Sequence, residues 1–197
     1  MATKDKQYFV FHKPYGVLSQ YTDEDGNPGL NKVIQLPKGV YPVGRLDKDS
    51  EGLLLLTNDR TLNQALLDPR NAHARTYVVE VVGVPTEPTM RKLEEGVEIN
   101  LKGKTHLTKP AKCRRVAVNY AERNPPVNRK KHPITTWIEL TLTEGKNRQV
   151  RRMTAKVGHP TLRLIRSRIE ELGLMDLAPG EMRMISAKTL RQKLKLS

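Results

Sequence analysis

The sequence predicts an α+β fold whose sheet is largely antiparallel or mixed. Three observations predict it. Short apolar or alternating runs recur along the chain with amphipathic stretches between them, the regular strand–helix–strand rhythm of a doubly wound fold is missing, and no GxGxxG turn follows a strand. The 197 residues, 37% hydrophobic and 28% charged, suit one globular unit, or one unit of two subdomains, able to bury a sizeable core.

The elements follow in order. QYFVF (7–11) reads as a strand entering the turn HKPYG, and GLLLLT (52–57) is short and apolar enough to be buried on both faces. A helix is expected at 59–67. TYVVEVVG (76–83) alternates, and a helix at 86–95 starts behind Thr86 with an early Pro88. TTWIELTLTEG (135–145) alternates with Ile138, Leu140 and Leu142 on one side. A helix at 147–157, capped by Asn147, ends before Gly158 and Pro160. TLRLI (161–165) and EMRMIS (181–186) are shorter strands, and a last helix occupies 187–195 behind Ser186. Two segments resist assignment, LKGKTHLTKPAKCRR (101–115) and NYAERNPPVNRKKHP (119–133). Each reads either as a solvated loop or as a loop that clamps RNA and orders on phosphate.

Charge narrows the partners. The formal net charge is +14; residues 1–98 hold 12 basic and 14 acidic side chains, residues 99–197 hold 23 and 7. So one-sided an excess repels itself unless a polyanion sits against it, and no basic amphipathic helix dominates to favour a membrane surface. Nucleic acid is the expected partner. The single Cys113 excludes a disulfide framework, and five scattered histidines without a CxxC give no structural zinc site. The first ten residues lack a signal peptide's apolar segment, no run approaches a membrane span, and the cytoplasm is the expected compartment. No P-loop occurs, so no nucleotide cofactor is implied. Nothing requires a dimer.

Three constellations bear on chemistry. GRLDKDSEGLLLLTND (44–59) gathers Asp47, Asp49 and Glu51 around one apolar strand. A metal cluster prefers no cation among its ligands, and Arg45 and Lys48 lie inside this row. A glycosidase pair needs carboxylates on opposite sides of a bond, which neighbouring positions serve poorly. A salt-bridged turn and a single nucleophilic aspartate with an arginine partner both stay open. In EGKNRQVRRMTAKVG (144–158), Val150, Met153 and Val157 share one helix side, Arg148, Arg152 and Lys156 the other, and Arg151 the flank. Cations in a first helical turn oppose the helix dipole, so an anion is expected nearby: phosphate for the outward arginines, a carboxylate for Arg151. In RTYVVEV (75–81), Tyr77 shares a strand face with Val79 and Val81, and a core tyrosine is its ordinary reading.

In this order the three stretches resemble the bacterial rRNA pseudouridine synthases of the RsuA/RluB/RluE/RluF family. GRLDKDSEGLLLLTND is similar to the family's aspartate motif, RTYVVEV to its tyrosine motif, EGKNRQVRRM to its third motif and LIRSRIE (164–170) to its later Leu-x-Arg segment. RNPP (123–126) and the TTW that follows resemble the short RluE-type large-subunit branch. The resemblance runs from residue 7 to about 185. It implies the pseudouridine synthase fold, a mixed, mostly antiparallel central sheet in two subdomains with a catalytic cleft between, and a single catalytic domain over 1–197. It implies isomerisation of one uridine of 23S rRNA near the peptidyl transferase centre, with no cofactor and no metal. Asp47 would be the nucleophile, Tyr77 would face the base and take the C5 proton, and Arg151 would pair with Asp47. As RNA-binding residues, Leu164 would pack beside the tyrosine and base, Arg166 would hold backbone, and Arg45 would fill the place of the flipped uridine. Arg148 and Arg152 would contact RNA.

Two features depart from the family pattern. Many relatives carry a separate N-terminal RNA-binding module, whereas here the motifs start at once with Tyr8 and no such module is expected, so RNA selection is expected from the loops at 101–133, the 147–157 helix and the basic end KTLRQKLKLS. Glu170 stands where many relatives have glycine, which puts the local turn in question. Two rival functions stand beside the synthase. One is a non-catalytic RNA-binding assembly factor on the same fold, which has no need of Asp47. The other is a metal-dependent nuclease using Asp47, Asp49 and Glu51.

Overall fold

The structure, a computed structural model, describes residues 5–196; the first four residues and Ser197, which ends the basic tail KTLRQKLKLS, lie outside that range. The chain divides into two compact units. One runs to His73 and resumes at Arg166; the other is the uninterrupted segment Ala74–Ile165.

The first unit holds β1 (Tyr8–Lys13), β2 (Tyr41–Val43), β3 (Glu51–Thr57) and α1 (Arg60–Leu67), then, late in the chain, β10 (Leu172–Gly173), β11 (Met182–Met184) and α4 (Ala187–Lys193). β3 pairs antiparallel with β1 from Tyr8↔Thr57 to Lys13↔Gly52, and β11 joins the outer edge of β1 at Phe9↔Met184. β2 pairs with the end of β3. All seven residues of β3 are buried, as the apolar run predicts. Leu54 and Leu56 face Phe9, Phe11, Val17, Leu30 and Val40 in one apolar cluster. α1 is capped by Asp59, whose carboxylate accepts the Thr61 amide at 3.1 Å. α4 is capped by Ser186, which accepts the Thr189 amide at 3.1 Å.

The second unit holds β4 (Arg75–Val82), α2 (Glu87–Glu95), β5 (Glu98–Leu101), β6 (Lys104–Leu107), β7 (Lys112–Arg115), β8 (Thr135–Leu142) and α3 (Gln149–Lys156). β9 (Thr161–Ile169) begins here and ends in the first unit. β8 lies between β4 and β7 in an antiparallel sheet, in register with β4 from Arg75↔Leu142 to Val82↔Thr135. Alternation sorts the two faces of this sheet. One face packs Val79, Val81, Ile138, Leu140 and Leu142 against Leu93 of α2, Ile99 of β5, and Val150 and Met153 of α3.

The other face mixes Thr76, Glu80, Thr135, Glu139 and Thr141 with Val78, Val82 and Trp137, and the segment 119–133 reaches it. Glu80, 1% exposed, receives both arms of Arg129 at 2.8 and 2.9 Å and the Thr135 hydroxyl at 3.0 Å. Arg163 donates to the Ala121 carbonyl at 2.8 Å and stands 6.0 Å over the Trp137 ring, which Tyr120 also meets. A buried carboxylate with a bidentate arginine satisfies both charges on such a mixed face.

The observed elements differ from the expected ones at several places: β2, β5 and β10 have no expected counterpart, and the chain differs at three further places. The unassigned segment 101–115 contains β6 and β7, so the chain forms a β5–β6 hairpin and an edge strand there. β9 continues to Ile169, past the expected end at Ile165. Asn147 is not the cap of α3: Arg148 occupies that position, with a left-handed φ of 52° and no side-chain capping bond. The turn is shaped instead by Gln149, whose side-chain oxygen accepts the Lys146 amide at 2.9 Å.

Candidate active site

Asp47 lies in the connection between β2 and β3, in a turn that the Ser50 amide closes onto the Asp47 carbonyl at 3.0 Å. Asp47, Asp49 and Glu51 therefore do not form the extended row that their spacing suggests: Asp49 sits in the turn and Glu51 opens β3, 1% exposed. The residues flanking Asp47 are pinned on both sides by the segment that follows β1. Before it, the Ser19 hydroxyl donates to the Leu46 carbonyl at 2.7 Å and accepts the Leu46 amide at 2.9 Å. After it, the Lys48 carbonyl accepts the Gly16 amide at 2.9 Å and the Lys13 ammonium at 3.4 Å.

Lys13 was given no task by the sequence. It is fully buried, and its Nζ also donates to the carbonyls of Pro14 (2.9 Å) and Val17 (2.5 Å). Burial outweighs the pull of Glu51, Asp49 and Asp47 and, with Arg166 nearby, lowers its pKa to about 7. The signal was available: a lysine closes an apolar strand directly before a Pro-x-Gly turn, where its stem must be buried with the strand.

Arg166 stands in the same unit, 5% exposed, with Nε donating to the Leu53 carbonyl at 2.8 Å. Gly52 has φ +107°, and a Cβ built there would lie 2.4 Å from the Arg166 carbonyl oxygen, so the motif's glycine is dictated by backbone approach. Arg45 is exposed at the start of the loop. The turn at Glu170 persists without glycine. Glu170 takes φ +48° between the paired Ile169 and Leu172, and its carboxylate meets His73 at 3.3 Å and Lys195 at 3.7 Å.

The second unit brings together another set. Tyr77 on β4 is partly buried and packs on the cluster that includes Val150, Met153 and Leu164, which is 5% exposed. Arg151 is partly buried on α3, whose Val150 and Met153 enter that cluster, and Arg148 is exposed at the helix start. Arg152 bridges the loop before α3 to the β5–β6 hairpin: Nε donates to the Asn147 carbonyl at 3.1 Å and Nη1 to the Asn100 carbonyl at 2.7 Å. Glu144 is the centre of the same turn. It accepts the Lys109 amide at 2.8 Å and the Gln149 side-chain amide at 2.7 Å, and faces His106 at 3.2 Å. Burial would raise its pKa, but these bonds outweigh burial and lower it. Among the described residues, no three or more His, Cys, Asp or Glu side chains gather into a group that could hold a metal ion. No described helix is long and apolar enough to cross a membrane.

Comparison with known proteins gives these features a family. Residues 7–156 match the family described as RNA pseudouridylate synthase. The chain is 46% identical over 179 residues to the ribosomal large subunit pseudouridine synthase E of Vibrio parahaemolyticus, covering 90% of this chain and 73% of that protein. It is 45% identical over 185 residues to the protein of the same name from Xanthomonas campestris pv. campestris, covering 92% and 97%. The ribosomal large subunit pseudouridine synthase B of Bacillus subtilis is 37% identical over 186 residues, covering 94% and 70%. Among solved structures, one titled "Crystal structure of pseudouridylate synthase" superposes with a TM-score of 0.78 at 28% identity, covering 98% of this chain and 76% of that one. The matched span contains the pinned Asp47 loop, the Tyr77 strand and the whole of α3 with the turn before it, and with it this α+β chain belongs to the RNA pseudouridylate synthase family and is an RNA pseudouridine synthase.

Proposed function

We propose that this enzyme converts one uridine of large-subunit (23S) ribosomal RNA, near the peptidyl transferase centre, to pseudouridine. The observation that carries the substrate is the 45–46% identity, over nine-tenths of the chain, to proteins named for the ribosomal large subunit. Both units form one catalytic domain acting as a monomer in the cytoplasm. The +14 charge supplies the affinity for RNA.

Asp47 acts as the nucleophile, and its loop, pinned at Leu46 and Lys48, supports that role because a reacting group gains from a fixed position. The uridine must leave its stack, at a cost of a few kcal/mol, which phosphate contacts offset. Arg45 fills the vacated place, and Arg148 and Arg152 grip the RNA. The Asp47 carboxylate bonds to C1′ as the N1–C1′ bond breaks, the uracil rotates, C5 bonds to C1′ and displaces the carboxylate, and Tyr77 takes the C5 proton while N1 gains one. Arg151 is the cation that pairs with Asp47, Leu164 packs beside tyrosine and base, and Arg166 holds the strand behind the loop. Isomerisation exchanges no electrons and no group with solution, so neither metal nor cofactor enters it.

The test is incubation with unmodified large-subunit rRNA in chelator, followed by carbodiimide-directed primer extension. A new stop that Asp47→Asn abolishes is expected. RNA binding without a new stop would assign the chain to a non-catalytic role, and chelator-sensitive strand scission would assign it to nuclease chemistry.

A further inference from the structure

The stretch from Leu101 to Arg115 holds six lysines and arginines and no carboxylate, and the third-motif helix absorbs none of them. The β5–β6 hairpin carries the first two of these cations at its tip. The turn Lys102–Gly103 takes left-handed φ values of 53° and 83°, and the Asn100 side chain accepts the Gly103 amide at 2.8 Å. Lys102, Gly103, Lys104 and Thr105 are all exposed.

The arm bearing this tip is anchored at its base and along its side. At the base, the Thr108 hydroxyl accepts the Val97 amide at 2.9 Å and the Thr108 amide donates to the Val97 carbonyl at 3.1 Å. Gly96 is required there, since a Cβ would lie 2.3 Å from the Thr108 carbonyl oxygen. Along the side, Ile99 and Leu101 enter the apolar face of the second unit. Paired opposite Ile99, His106 meets Glu144, and Arg152 of α3 donates to Asn100. Two of the bonds that shape the turn before α3, through Glu144 and Arg152, therefore also fix the hairpin. A flexible loop loses entropy on gripping phosphate, and this arm has already lost most of it.

Resting on the reading of this chain as an RNA-modifying enzyme, we propose that the β5–β6 hairpin is a rigid arm whose Lys102 and Lys104 grip phosphates of the substrate RNA beside those held from the start of α3. An acidic protein surface would suit two lysines as well, but the exposed Lys109 and Lys112 extend the run, while Arg114 and Arg115 are taken up by Glu139 and Glu87, and four exposed lysines in eleven residues suit a polyphosphate backbone.

The experiment measures binding of unmodified large-subunit rRNA transcript by the full chain between 50 and 300 mM salt. The variant is Lys102→Gln/Lys104→Gln; Arg91→Gln/Lys92→Gln on α2 removes the same charge elsewhere in the unit. The tip variant is expected to bind roughly tenfold more weakly, with the slope of log K against log salt reduced by about 1.4–1.8, while the α2 variant keeps the wild-type slope. A tip variant with the wild-type slope, or equal reductions in both variants, overturns the arm, and the first result would leave the tip to an acidic protein partner. Thermal midpoints of all three proteins show that each is folded. Absence of pseudouridine with wild-type enzyme would instead strike the function itself, and the slopes would still decide the arm.

Discussion

The ammonium of Lys13 lies 2.5 Å from the Val17 carbonyl and 3.4 Å from that of Lys48, the residue directly after Asp47. One buried cation thus joins the end of β1 to the loop that carries the catalytic carboxylate of the proposed reaction. Asp49 and Glu51, beside Asp47, face it electrostatically and share its charge.

Lys13→Met keeps the apolar stem and removes the donor from three carbonyls. Unfolding in urea at pH 7 should show a loss of about 1–3 kcal/mol, and single-turnover pseudouridine formation should slow as the Asp47 loop loosens. The pH dependence has a definite sign. With a folded pKa of about 7 against an ordinary 10.5, the unfolded chain binds more protons between those values, so Lys13 makes the native state more stable as pH rises. That rise amounts to as much as ~3 kcal/mol between pH 7 and 9.5 and should be missing in Lys13→Met.

Tyr77→Phe preserves the packing on Val150, Met153 and Leu164, so the thermal midpoint should move by no more than a few degrees. If Tyr77 removes the C5 proton, product should fall by 100-fold or more, roughly the weight of one general base. A variant with near-normal turnover in the primer-extension assay would return Tyr77 to the core.

Gly52→Ala places a methyl group against the Arg166 carbonyl and forces a left-handed φ on alanine. Both are backbone conflicts that side-chain rotation cannot relieve, and a loss of about 3 kcal/mol or more is expected by chemical denaturation. Unchanged stability would mean that β3 and the end of β9 separate readily.

Glu80→Ala leaves Arg129 without its fork partner and uncovers the mixed face of β4. Because Arg129 is itself partly exposed, the loss should be about 2 kcal/mol, below that of a fully buried pair. Limited trypsin digestion should then cut at Arg123, Lys130 or Lys131 well before the wild type is cut. Resistance equal to wild type would show that other contacts hold the segment.

Asp59 caps α1 and accepts the Tyr8 hydroxyl at 2.7 Å. Burial would raise its pKa, yet bonds from Thr61, Tyr8 and Lys6 hold it well below the usual carboxylate range. Its stabilising effect is complete above the ordinary carboxylate pKa and is lost as pH falls through the depressed one. Asp59→Ala should therefore cost about 2 kcal/mol at pH 7, and the gap to wild type should narrow steadily below pH 4 in acid titrations followed by circular dichroism.

The parts legible in the sequence are those whose causes are local. Four leucines in a short run bounded by Gly52 and Asn58 suit a strand buried on both sides, and Thr86 and Ser186 announce their helices by a hydroxyl three residues before the amide that each one accepts. The hairpin was hidden because β6 places Lys104 and His106 opposite Leu101 and Ile99, so the alternation that marks β5 fails on its partner. His106 is satisfied by Glu144, far along the chain, and no local pattern carries that fact. The segment 119–133 reads as a charged loop for the same reason: its anchor is Glu80, a carboxylate hidden inside a run of valines. Of the candidate site, Asp47, Tyr77 and Arg151 stood out by motif, while Lys13 and Ser19, which hold the loop, lie in a stretch that looks like an ordinary turn.

The second unit is one unbroken segment set within the first, and this orders events in time. A ribosome finishes every strand from β4 to β8 before it adds Met184, the residue that pairs with Phe9. The inserted unit can close its sheet while β1 still has an open outer edge. That edge is a site for mispairing during synthesis, and the delay ends only when β11 and α4 emerge. Truncation near residue 165 should thus leave the inserted unit intact and the outer edge of β1 unpaired, so the earliest strand to be made is among the last to be complete.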